Sequence, residues 1–356
     1  MRVGLLGLPA SGKTTLFQLL TRHAPATSVH GATLAAGRVP DRRLDKLAEI
    51  HRPRRTVYTQ IEFVDLPSWI PEGGGSRRNG ALLQHVRDVD LLVHVVRAFD
   101  DPAVPTVHGT VDPLRDAQTL HEELLLADWS LVETRLNNLA QSRKKQPDHE
   151  KQVALLQRFR ACLEGDAPLS SVDLTEEEET LIRGDAFITR KPVIVALNVS
   201  EDALADPGDP RRQGVEGWCR QQGIPLIVTS ARVEAEIEAL SGDEREAFLA
   251  AYGLEASGLE RLARTAYEHL GLIAFFTAGE KEVRAWTVRR GVRAPQAARA
   301  IHSDIERGFI RAEVISYDDY VRAGSMKAAR DAGLVRLEGK DYVVQDGDVI
   351  TFRFNV

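Results

Sequence analysis

Residues 1–20 read MRVGLLGLPASGKTTLFQLL, and they contain the pattern that decides the fold of the first domain. The apolar run from Arg2 to Leu6 predicts a short strand that leads directly into residues 7–14, GLPASGKT, which fit G-x-x-x-x-G-K-[ST]. The apolar spacing of residues 13–20 predicts a helix immediately afterwards. A strand before the glycine-rich segment and a helix after it are the context that a phosphate-binding loop requires, and a chance glycine-rich turn would not supply it.

The residue types of this loop suit phosphate. Gly7 and Gly12 let backbone N–H groups approach phosphate oxygens, where a Cβ would intrude, and the positive end of the following helix faces the same oxygens. Lys13 supplies a compact cation for the β- and γ-phosphates, and the Thr14 hydroxyl is a hard oxygen ligand suited to Mg²⁺. The predicted nucleotide-binding residues of this segment are Gly7, Pro9, Ala10, Ser11, Gly12, Lys13, Thr14 and Thr15.

Composition narrows the class of protein. The chain of 356 residues is 43% hydrophobic and 28% charged, which is typical of a soluble globular protein of two or three domains. Its net charge of −6 gives no overall attraction to nucleic acid. Cys162 and Cys219 stand in no metal-ligand spacing, so we expect a reduced, cytoplasmic setting. The phosphate loop occupies the N-terminus and no apolar run reaches ~18 residues, so we expect neither a signal peptide nor a membrane span.

The segments after the first helix contain the candidate Mg²⁺ ligands. Residues 22–41 are polar and non-periodic and predict a loop, in which Thr33 is either a hydroxyl ligand for Mg²⁺ or an ordinary loop threonine. Residues 56–64 predict a strand that ends in Asp65, where Walker-B chemistry places a carboxylate for the metal and its water. Residues 67–80, with three consecutive glycines and two prolines, predict irregular backbone that is either a mobile switch loop or a flexible surface loop.

Further apolar runs predict the rest of the sheet. Residues 89–96, 192–197 and 224–228 are typical of buried parallel strands, and they alternate with helical segments. We therefore predict an α/β fold with a doubly wound parallel sheet, which binds ligands at the carboxyl ends of its strands. Residues that follow two of these strands complete the predicted nucleotide site, namely Asn198, Val199, Glu201, Ser230 and Ala231.

Two further segments differ in character from this domain. Leucines recur at helical spacing over residues 114–165, with a break at 146–148, and predict a helical hairpin. Its basic tip, residues 142–151, is either a reaching arm or a solvated turn. From residue 273 short alternating strands surround one helix near 294–301 and predict a small α+β domain. The predicted boundaries are 1–112 with 186–272 for the nucleotide-binding domain, 113–185 for the hairpin and 273–356 for the C-terminal domain.

The base-recognition segment and the C-terminus carry a resemblance to a known family. Guanine-binding domains of this type use N-K-x-D, but here residues 198–201 read NVSE. This resembles the YchF family of Obg-like ATPases, in which N-x-x-E accompanies a preference for ATP over GTP. Four stretches are similar to that family almost word for word: SARVEAEIEAL (230–240), FFTAGEKEVRAWTV (275–288), IHSDIERGFIRAEVI (301–315) and EGKDYVVQDGDVITFRFNV (338–356).

The resemblance implies a P-loop domain, an inserted helical hairpin and a C-terminal ubiquitin-like TGS domain. It also implies hydrolysis of ATP with Mg²⁺ and association with ribosomes, which the hairpin tip and the TGS domain would contact. From the residues themselves, Asn198 can pair with the N6 and N7 edge of adenine. Glu201 is one methylene longer than the aspartate that reads guanine, and the alternative is that its side chain faces solvent.

The segments that control hydrolysis depart from the family pattern. The family's D-x-x-G is here DLPS (65–68), with Ser68 in place of the glycine. The next residue is Trp69, where the family places a hydrophobic residue instead of the glutamine that orients water in Ras-like enzymes, although tryptophan is bulkier than usual. The family loop H-V-x-G-x-V-D-P is here TVHGTVDP (106–113), so Thr106 takes the histidine position and His108 lies two residues on. The candidate catalytic residues are Lys13, His108 and Trp69. For His108 the alternative is a surface loop histidine.

Three functional hypotheses remain open from the sequence. The first is an ATPase in which water attacks the γ-phosphate while Lys13 and Mg²⁺ neutralise the developing charge. The second is a nucleotide-gated binding module with negligible turnover, which the departures near Trp69 and Thr106 favour. The third, a GTP-binding protein, is disfavoured because the aspartate of N-K-x-D is missing.

Overall fold

The computed structural model describes residues 1–22, 24–29, 31–70, 76–142 and 148–355. Contacts divide the chain into two compact units. The first unit comprises Met1–Ala36 and Glu62–Leu262, and the second comprises Gly37–Ile61 and Ala263–Val356.

The strands and helices lie as follows within the described residues. The strands are β1 (Arg2–Gly7), β2 (Thr27–Val29), β3 (Ala32–Arg38), β4 (Arg55–Val57), β5 (Gln60–Asp65), β6 (Leu91–Ala98), β7 (Val193–Val199), β8 (Leu226–Thr229), β9 (Leu272–Ala278), β10 (Glu282–Arg289), β11 (Phe309–Ile315), β12 (Arg336–Glu338) and β13 (Val349–Phe354). The helices are α1 (Lys13–Leu20), α2 (Arg42–His51), α3 (Ser76–Arg87), α4 (Pro113–Gln141), α5 (His149–Glu164), α6 (Glu176–Ile182), α7 (Glu201–Ala205), α8 (Pro210–Gln222), α9 (Ala231–Ala239), α10 (Gly242–Ala251), α11 (Gly258–His269), α12 (Ala294–Arg299), α13 (Ser303–Arg307), α14 (Tyr317–Ala323) and α15 (Met326–Asp331).

The sheet of the first unit has the strand order β2-β3-β5-β1-β6-β7-β8. Strands β5, β1, β6, β7 and β8 run parallel. Strand β1 lies between β5 and β6, with Leu5 opposite Asp65 and Leu6 opposite His94. The apolar runs of β1 and β6 are buried almost throughout, as expected for central strands of a doubly wound sheet. This register brings the carboxyl ends of β1 and β5 together, where the phosphate loop begins.

Three local predictions were wrong. Residues 22–41 are not a loop, because β2 and β3 form an antiparallel pair at the edge of the sheet with Thr27 opposite Leu34. Residues 56–64 are not one strand, because β4 and β5 join different sheets. Residues 67–80 are not wholly irregular, because α3 begins at Ser76. Pairing with a neighbouring strand and packing of a helix outweighed weak local signals in each case. Residues 71–75 lie outside the described part of the chain.

Helices α4 and α5 form the predicted hairpin and pack through a cluster that includes Leu125, Val132, Leu155 and Phe159. Helix α4 begins at Pro113, and the Asp112 side chain caps it by accepting a hydrogen bond from the backbone N–H of Arg115 (3.1 Å). The basic tip residues Arg143, Lys144 and Lys145 lie outside the described residues, so their predicted contact with a partner stays a prediction.

The sheet of the second unit has the order β12-β11-β13-β9-β10-β4. Helix α2 belongs to this unit, since Leu44 and Leu47 are buried in a cluster with Phe276 and Val283. The unit contains α12, α13, α14 and α15, where the sequence predicted a single helix. The division also differs from the predicted boundaries, because residues 37–61 join the C-terminal residues and the hairpin does not separate from the sheet beside it.

Among the described helices, none combines the length and the apolar character that a membrane crossing demands.

Candidate functional site

The turn from β1 into α1 has left-handed backbone at Ala10 (φ 62°) and Gly12 (φ 88°). Helix α1 starts at this point, because the N–H of Leu16 donates to the carbonyl of Gly12 (2.9 Å). A Cβ at residue 12 would overlap the Nδ2 atom of Asn198. Glycine is therefore required at this position for its backbone conformation and for the close approach of a neighbouring side chain.

Gly7 is required for a different reason. A Cβ at residue 7 would lie 2.6 Å from the carbonyl oxygen of Val95 and 2.8 Å from the Ser11 Oγ atom. The Ser11 hydroxyl is buried and has no hydrogen-bond partner among the described residues. An unpartnered buried hydroxyl is costly, and it lies inside the loop that the sequence assigns to phosphate.

Three polar side chains meet beside the loop. The ammonium of Lys13 is 5% exposed and donates to Asp65 Oδ1. The Thr14 hydroxyl donates to Asp65 Oδ2 (2.8 Å). The pairing of β1 with β5 places Asp65 opposite Leu5, at the end of the strand next to the loop. A buried ammonium needs an anionic partner, and Asp65 supplies it. A hydroxyl and a carboxylate side by side are also the hard oxygen donors that Mg²⁺ prefers.

Asn198 joins the phosphate loop to the end of the sheet. It lies in β7, is 2% exposed, and its Nδ2 donates to the Ser11 carbonyl (3.0 Å). Its Oδ1 accepts from the backbone N–H of Ala231 (2.9 Å), the first residue of α9. The predicted residues Ser11, Asn198 and Ala231 are thus connected in one buried network, with Ser230 buried beside it.

Glu201 is held by a partner that sequence reasoning missed. It is the first residue of α7, and Ser200 caps that helix by accepting from the N–H of Ala203 (3.3 Å). The carboxylate of Glu201 accepts a hydrogen bond from the hydroxyl of Tyr252, which raises the pKa of Tyr252 to about 12. No motif signals Tyr252, because it lies 51 residues away in the chain.

Comparisons with known proteins agree with the phosphate-binding loop described above and identify the family. A family model for the C-terminal domain of YchF GTPases, described as a protein of unknown function, matches residues 272–355, and one described as a 50S ribosome-binding GTPase matches residues 2–132. The chain is 42% identical to the ribosome-binding ATPase YchF of Bacillus subtilis over 100% of both proteins. It is 35% identical to Obg-like ATPase 1 of Oryza sativa, over 100% of this chain and 92% of that protein. The chain belongs to the YchF family.

A solved structure agrees with this membership. The YchF GTPase of Schizosaccharomyces pombe matches with a TM-score of 0.86 and 31% identity, and the match covers 99% of this chain and 97% of that one. The predicted α/β P-loop fold, with its helical insertion and α+β C-terminal domain, is confirmed. The chain is accordingly a P-loop nucleotide-binding protein of a nucleotide-hydrolase family.

In this YchF family member, Trp69 faces the core. Its backbone N–H donates to the Gly7 carbonyl (3.0 Å), so the segment after β5 is tied to the phosphate loop. The indole ring is 3% exposed and packs in a cluster that includes Leu82 and Leu124. Its Nε1 atom has no hydrogen-bond partner among the described residues.

The loop after β6 separates Thr106 from His108. Thr106 lines a small cavity together with Pro9 and Ser11 of the phosphate loop, whereas the His108 side chain is exposed. Arg97 braces this loop, because its guanidinium donates to the carbonyl oxygens of Phe99 (3.1 Å), Val104 (3.1 Å) and Pro105 (3.2 Å). Sequence reasoning missed Arg97, since a cation inside an apolar strand carries no motif.

The remaining predicted residue, Thr33, lies in β3 opposite Ser28 of β2. It is therefore part of a strand, and not of the loop in which it was predicted. Its assignment as an Mg²⁺ ligand stays a prediction.

Proposed function

We propose that this protein binds ATP with Mg²⁺ and hydrolyses it, and that nucleotide occupancy controls its association with the ribosome. The observation that carries this proposal is the arrangement of Lys13, Thr14 and Asp65 beside the glycine-rich loop. The cation for phosphate and the hydroxyl for the metal each donate a hydrogen bond to the carboxylate of Asp65.

The residues present fit a bound nucleoside triphosphate. Gly12 has left-handed backbone, and the Ser11 hydroxyl of the same loop is buried without a partner among the described residues. Backbone N–H groups of the loop and the N-terminus of α1 would hold the phosphates. The loop residues proposed for this task are Gly7, Pro9, Ala10, Ser11, Gly12, Lys13, Thr14 and Thr15.

The same fit holds for Mg²⁺. Thr14 and Asp65 would hold the ion, Asp65 through a water, with Thr33 as a further candidate ligand. When bound, the ion neutralises charge on the phosphate oxygens. Lys13 contributes the second positive charge at the same place. In the structure Asp65 holds the ammonium of Lys13 beside the loop, so this side chain does not have to be ordered when the phosphates bind.

Several residues of the chain would restrict the water molecules near the γ-phosphate. The ring of Trp69 is buried, and the backbone N–H of this residue donates to the Gly7 carbonyl of the loop, so Trp69 is a candidate to keep solvent from that side of the bound phosphates. Thr106 lines the cavity beside Pro9 and Ser11, so its hydroxyl is a candidate to orient a water. His108 would have to move from its exposed position to take part.

Adenine preference is the proposed specificity. Asn198 donates one amide hydrogen to the Ser11 carbonyl and accepts one hydrogen bond from the Ala231 N–H. Its second amide hydrogen and its second oxygen lone pair remain for the base. The carboxylate of Glu201 accepts a hydrogen bond from Tyr252, and this protein partner supports the proposal that Glu201 does not read the two N–H groups that guanine presents. Val199, Ser230 and Ala231 would complete the base pocket.

Association with the ribosome is proposed from the relatives. Proteins that match this chain over their whole length are named ribosome-binding ATPases, and a family model that matches residues 2–132 is described as a 50S ribosome-binding GTPase. The basic hairpin tip and the C-terminal domain are the proposed contacts, which implies a cytoplasmic location.

A second candidate function is a nucleotide-gated binding module with negligible turnover. The exposed position of His108 and the threonine at residue 106 favour it. Binding and base selection would be the same, and the rate of hydrolysis would differ.

One experiment on purified protein separates these functions. Calorimetric titration with ATP and GTP in Mg²⁺ measures binding, and single-turnover hydrolysis of bound ATP, with and without ribosomes, measures chemistry. Tighter binding of ATP than GTP with measurable turnover supports the ATPase. Binding without turnover in both conditions supports the module. Equal or tighter binding of GTP would overturn the proposed specificity.

A second experiment addresses the ribosome. Reversing Arg143, Lys144 and Lys145 to glutamate should weaken co-sedimentation with ribosomes and reduce its salt dependence, because phosphate contacts release counterions. ATP affinity should not change. The matched control reverses three exposed arginines of the sheet domain: Arg211, Arg220 and Arg232. Unchanged co-sedimentation of the tip variant over a salt series would show that the tip is a solvated turn.

A further inference from the structure

Lys191 closes the C-terminal end of the helix that follows the predicted switch segment. Its Nζ atom donates to the carbonyl oxygens of Val86 (2.8 Å), Arg87 (2.5 Å) and Val89 (2.6 Å). Val86 and Arg87 are the last two residues of α3. An ammonium has three N–H donors, so these carbonyls use all of them, and a cation at a helix C-terminus is further favoured by the helix dipole.

Lys191 is itself fixed to the sheet. It lies two residues before β7, and the neighbouring Pro192 accepts a backbone hydrogen bond from Leu92 of β6 (3.0 Å). Burial lowers the pKa of Lys191 to about 8, and the charges of Asp88, Asp90 and Asp128 oppose that shift while Arg87 adds to it. The three contacts of its Nζ atom hold the end of α3 beside the amino-terminal ends of β6 and β7.

The hairpin is tied to the same short segment. Asp128 of α4 is fully buried and accepts hydrogen bonds from the backbone N–H groups of Ile188 (3.0 Å) and Thr189 (2.7 Å). It also accepts from the Thr189 hydroxyl (2.7 Å). Residues 188–191 therefore join the hairpin helix α4 on one side and the end of α3 on the other.

The apolar contacts of α3 complete this connection. Leu82 and Val86 of α3 pack in one cluster with Leu120 and Leu124 of α4, and the ring of Trp69 lies in the same cluster. The backbone of Trp69 is bonded to Gly7 of the phosphate loop. One packed layer, whose far end is anchored by Lys191, thus extends from the phosphate loop to the hairpin.

We propose that Lys191 is a positioning residue, which fixes the C-terminal end of α3 so that a nucleotide-dependent shift near Trp69 tilts α3 against the hairpin helix α4. The proposal rests on the proposed function, because it requires binding of a nucleotide beside Trp69. A helix with one end fixed responds to displacement of the other end by rotation, and close-packed layers transmit such a shift instead of absorbing it. Binding of a nucleotide at the site would in this way change the packing of the hairpin helix α4.

The test compares hydrogen exchange of the full chain with ADP and with a non-hydrolysable ATP analogue, each with Mg²⁺. In the wild type, amides of α3 and of residues 120–132 in α4 should exchange differently in the two states. Lys191→Met keeps the aliphatic stem and removes the donors. We expect faster exchange in the last turn of α3 even without nucleotide, and at least a twofold reduction of the ADP-to-ATP difference in α4. Calorimetric affinity for ATP should stay within about threefold.

Arg190→Met is the matched control. The Arg190 guanidinium donates to the carbonyl oxygens of Leu169 (3.1 Å) and Val172 (3.3 Å), so this variant removes the same kind of contact from the same segment without touching α3. It should keep the difference in α4. Asp128→Asn is the second variant, and it should weaken the response of α4, because an amide replaces the carboxylate that accepts from Ile188 and Thr189.

The outcomes distinguish this proposal from the proposed function. A folded Lys191→Met protein that keeps the full difference in α4 overturns the positioning role. A wild type that binds ATP but shows no difference in α4 also overturns it, while ATP binding stands. A wild type that binds no nucleotide overturns both. A merely structural role for Lys191 would lower the unfolding midpoint and leave the difference in α4 intact.

Discussion

At the phosphate end of the site, the side chains of Lys13, Ser11 and Asn198 are all at most 5% exposed. Lys13 donates to Asp65, and Asn198 donates to the backbone carbonyl of Ser11. At the end where a water would attack, His108 is exposed and Thr106 is partly buried. The first, which we call the assembled region, is buried and internally hydrogen-bonded, and the second, the water-attack region, is the more exposed of the two. We infer from this contrast that the fold fixes the groups proposed to hold the nucleotide more firmly than the groups proposed to act in its hydrolysis.

The largest effect is expected from Lys13→Ala, which removes the cation of the assembled region. Loss of a charge-assisted contact to phosphate should weaken ATP binding by about 10- to 150-fold, equivalent to about 1.5–3 kcal/mol. Calorimetry measures the affinity, and circular dichroism checks that the fold is intact. Wild-type affinity and turnover in folded Lys13→Ala would remove the phosphate-loop assignment.

The next effect is expected from Gly12→Ala, which tests how rigid the assembled region is. Left-handed backbone costs a residue with a Cβ about 1–2 kcal/mol, and the new Cβ would also overlap the Asn198 amide. We expect ATP affinity to fall about tenfold or more. The added variant Asn198→Ala removes the overlap, so the double variant should lose less than the sum of the two single variants. Strict additivity would show that Asn198 and Gly12 do not interact.

A smaller effect is expected from Thr106→His, which places a histidine where the matching loop of the family carries one. Thr106 lines the cavity beside Pro9 and Ser11, and a residue in a position to orient or deprotonate water raises rates by about 100-fold or more when well placed. For an imidazole that is not optimised we expect a rise of about fivefold in single-turnover hydrolysis, with unchanged ATP affinity. An unchanged rate would show that residue 106 does not approach the attacking water.

The smallest effect is expected from His108→Ala. An exposed loop side chain predicts a change in turnover of less than about twofold, whereas loss of a residue that positions water predicts at least a tenfold fall with unchanged ATP affinity. Single-turnover hydrolysis distinguishes the two. A tenfold fall would mean that His108 acts on the bound nucleotide, and the exposure of its side chain would then be no guide to its role in the reaction.

Much of the assembled region was predictable because its chemistry is local. The strand before residues 7–14 and the helix after them lie where they were predicted, and Asp65 ends a strand as expected. The loop around Thr33 was predicted wrongly, because a polar stretch with weak strand propensity predicts a loop. In the structure this stretch pairs with the neighbouring strands of the sheet and forms β3. Trp69 was predicted as a candidate catalytic residue, but its local sequence does not predict that its ring packs in the core.

By itself the sequence determined that this chain carries a phosphate-binding loop on a parallel sheet, because hydrophobic period and glycine placement act over a few residues. Only the tertiary structure decided three contacts. Asn198 packs against Gly12, and Tyr252 donates a hydrogen bond to Glu201. Lys191 binds the last carbonyls of α3. Each of these contacts joins residues far apart in the chain. Their partners were fixed by strand order and helix packing, which depend on the burial of the whole layer and not on any local pattern.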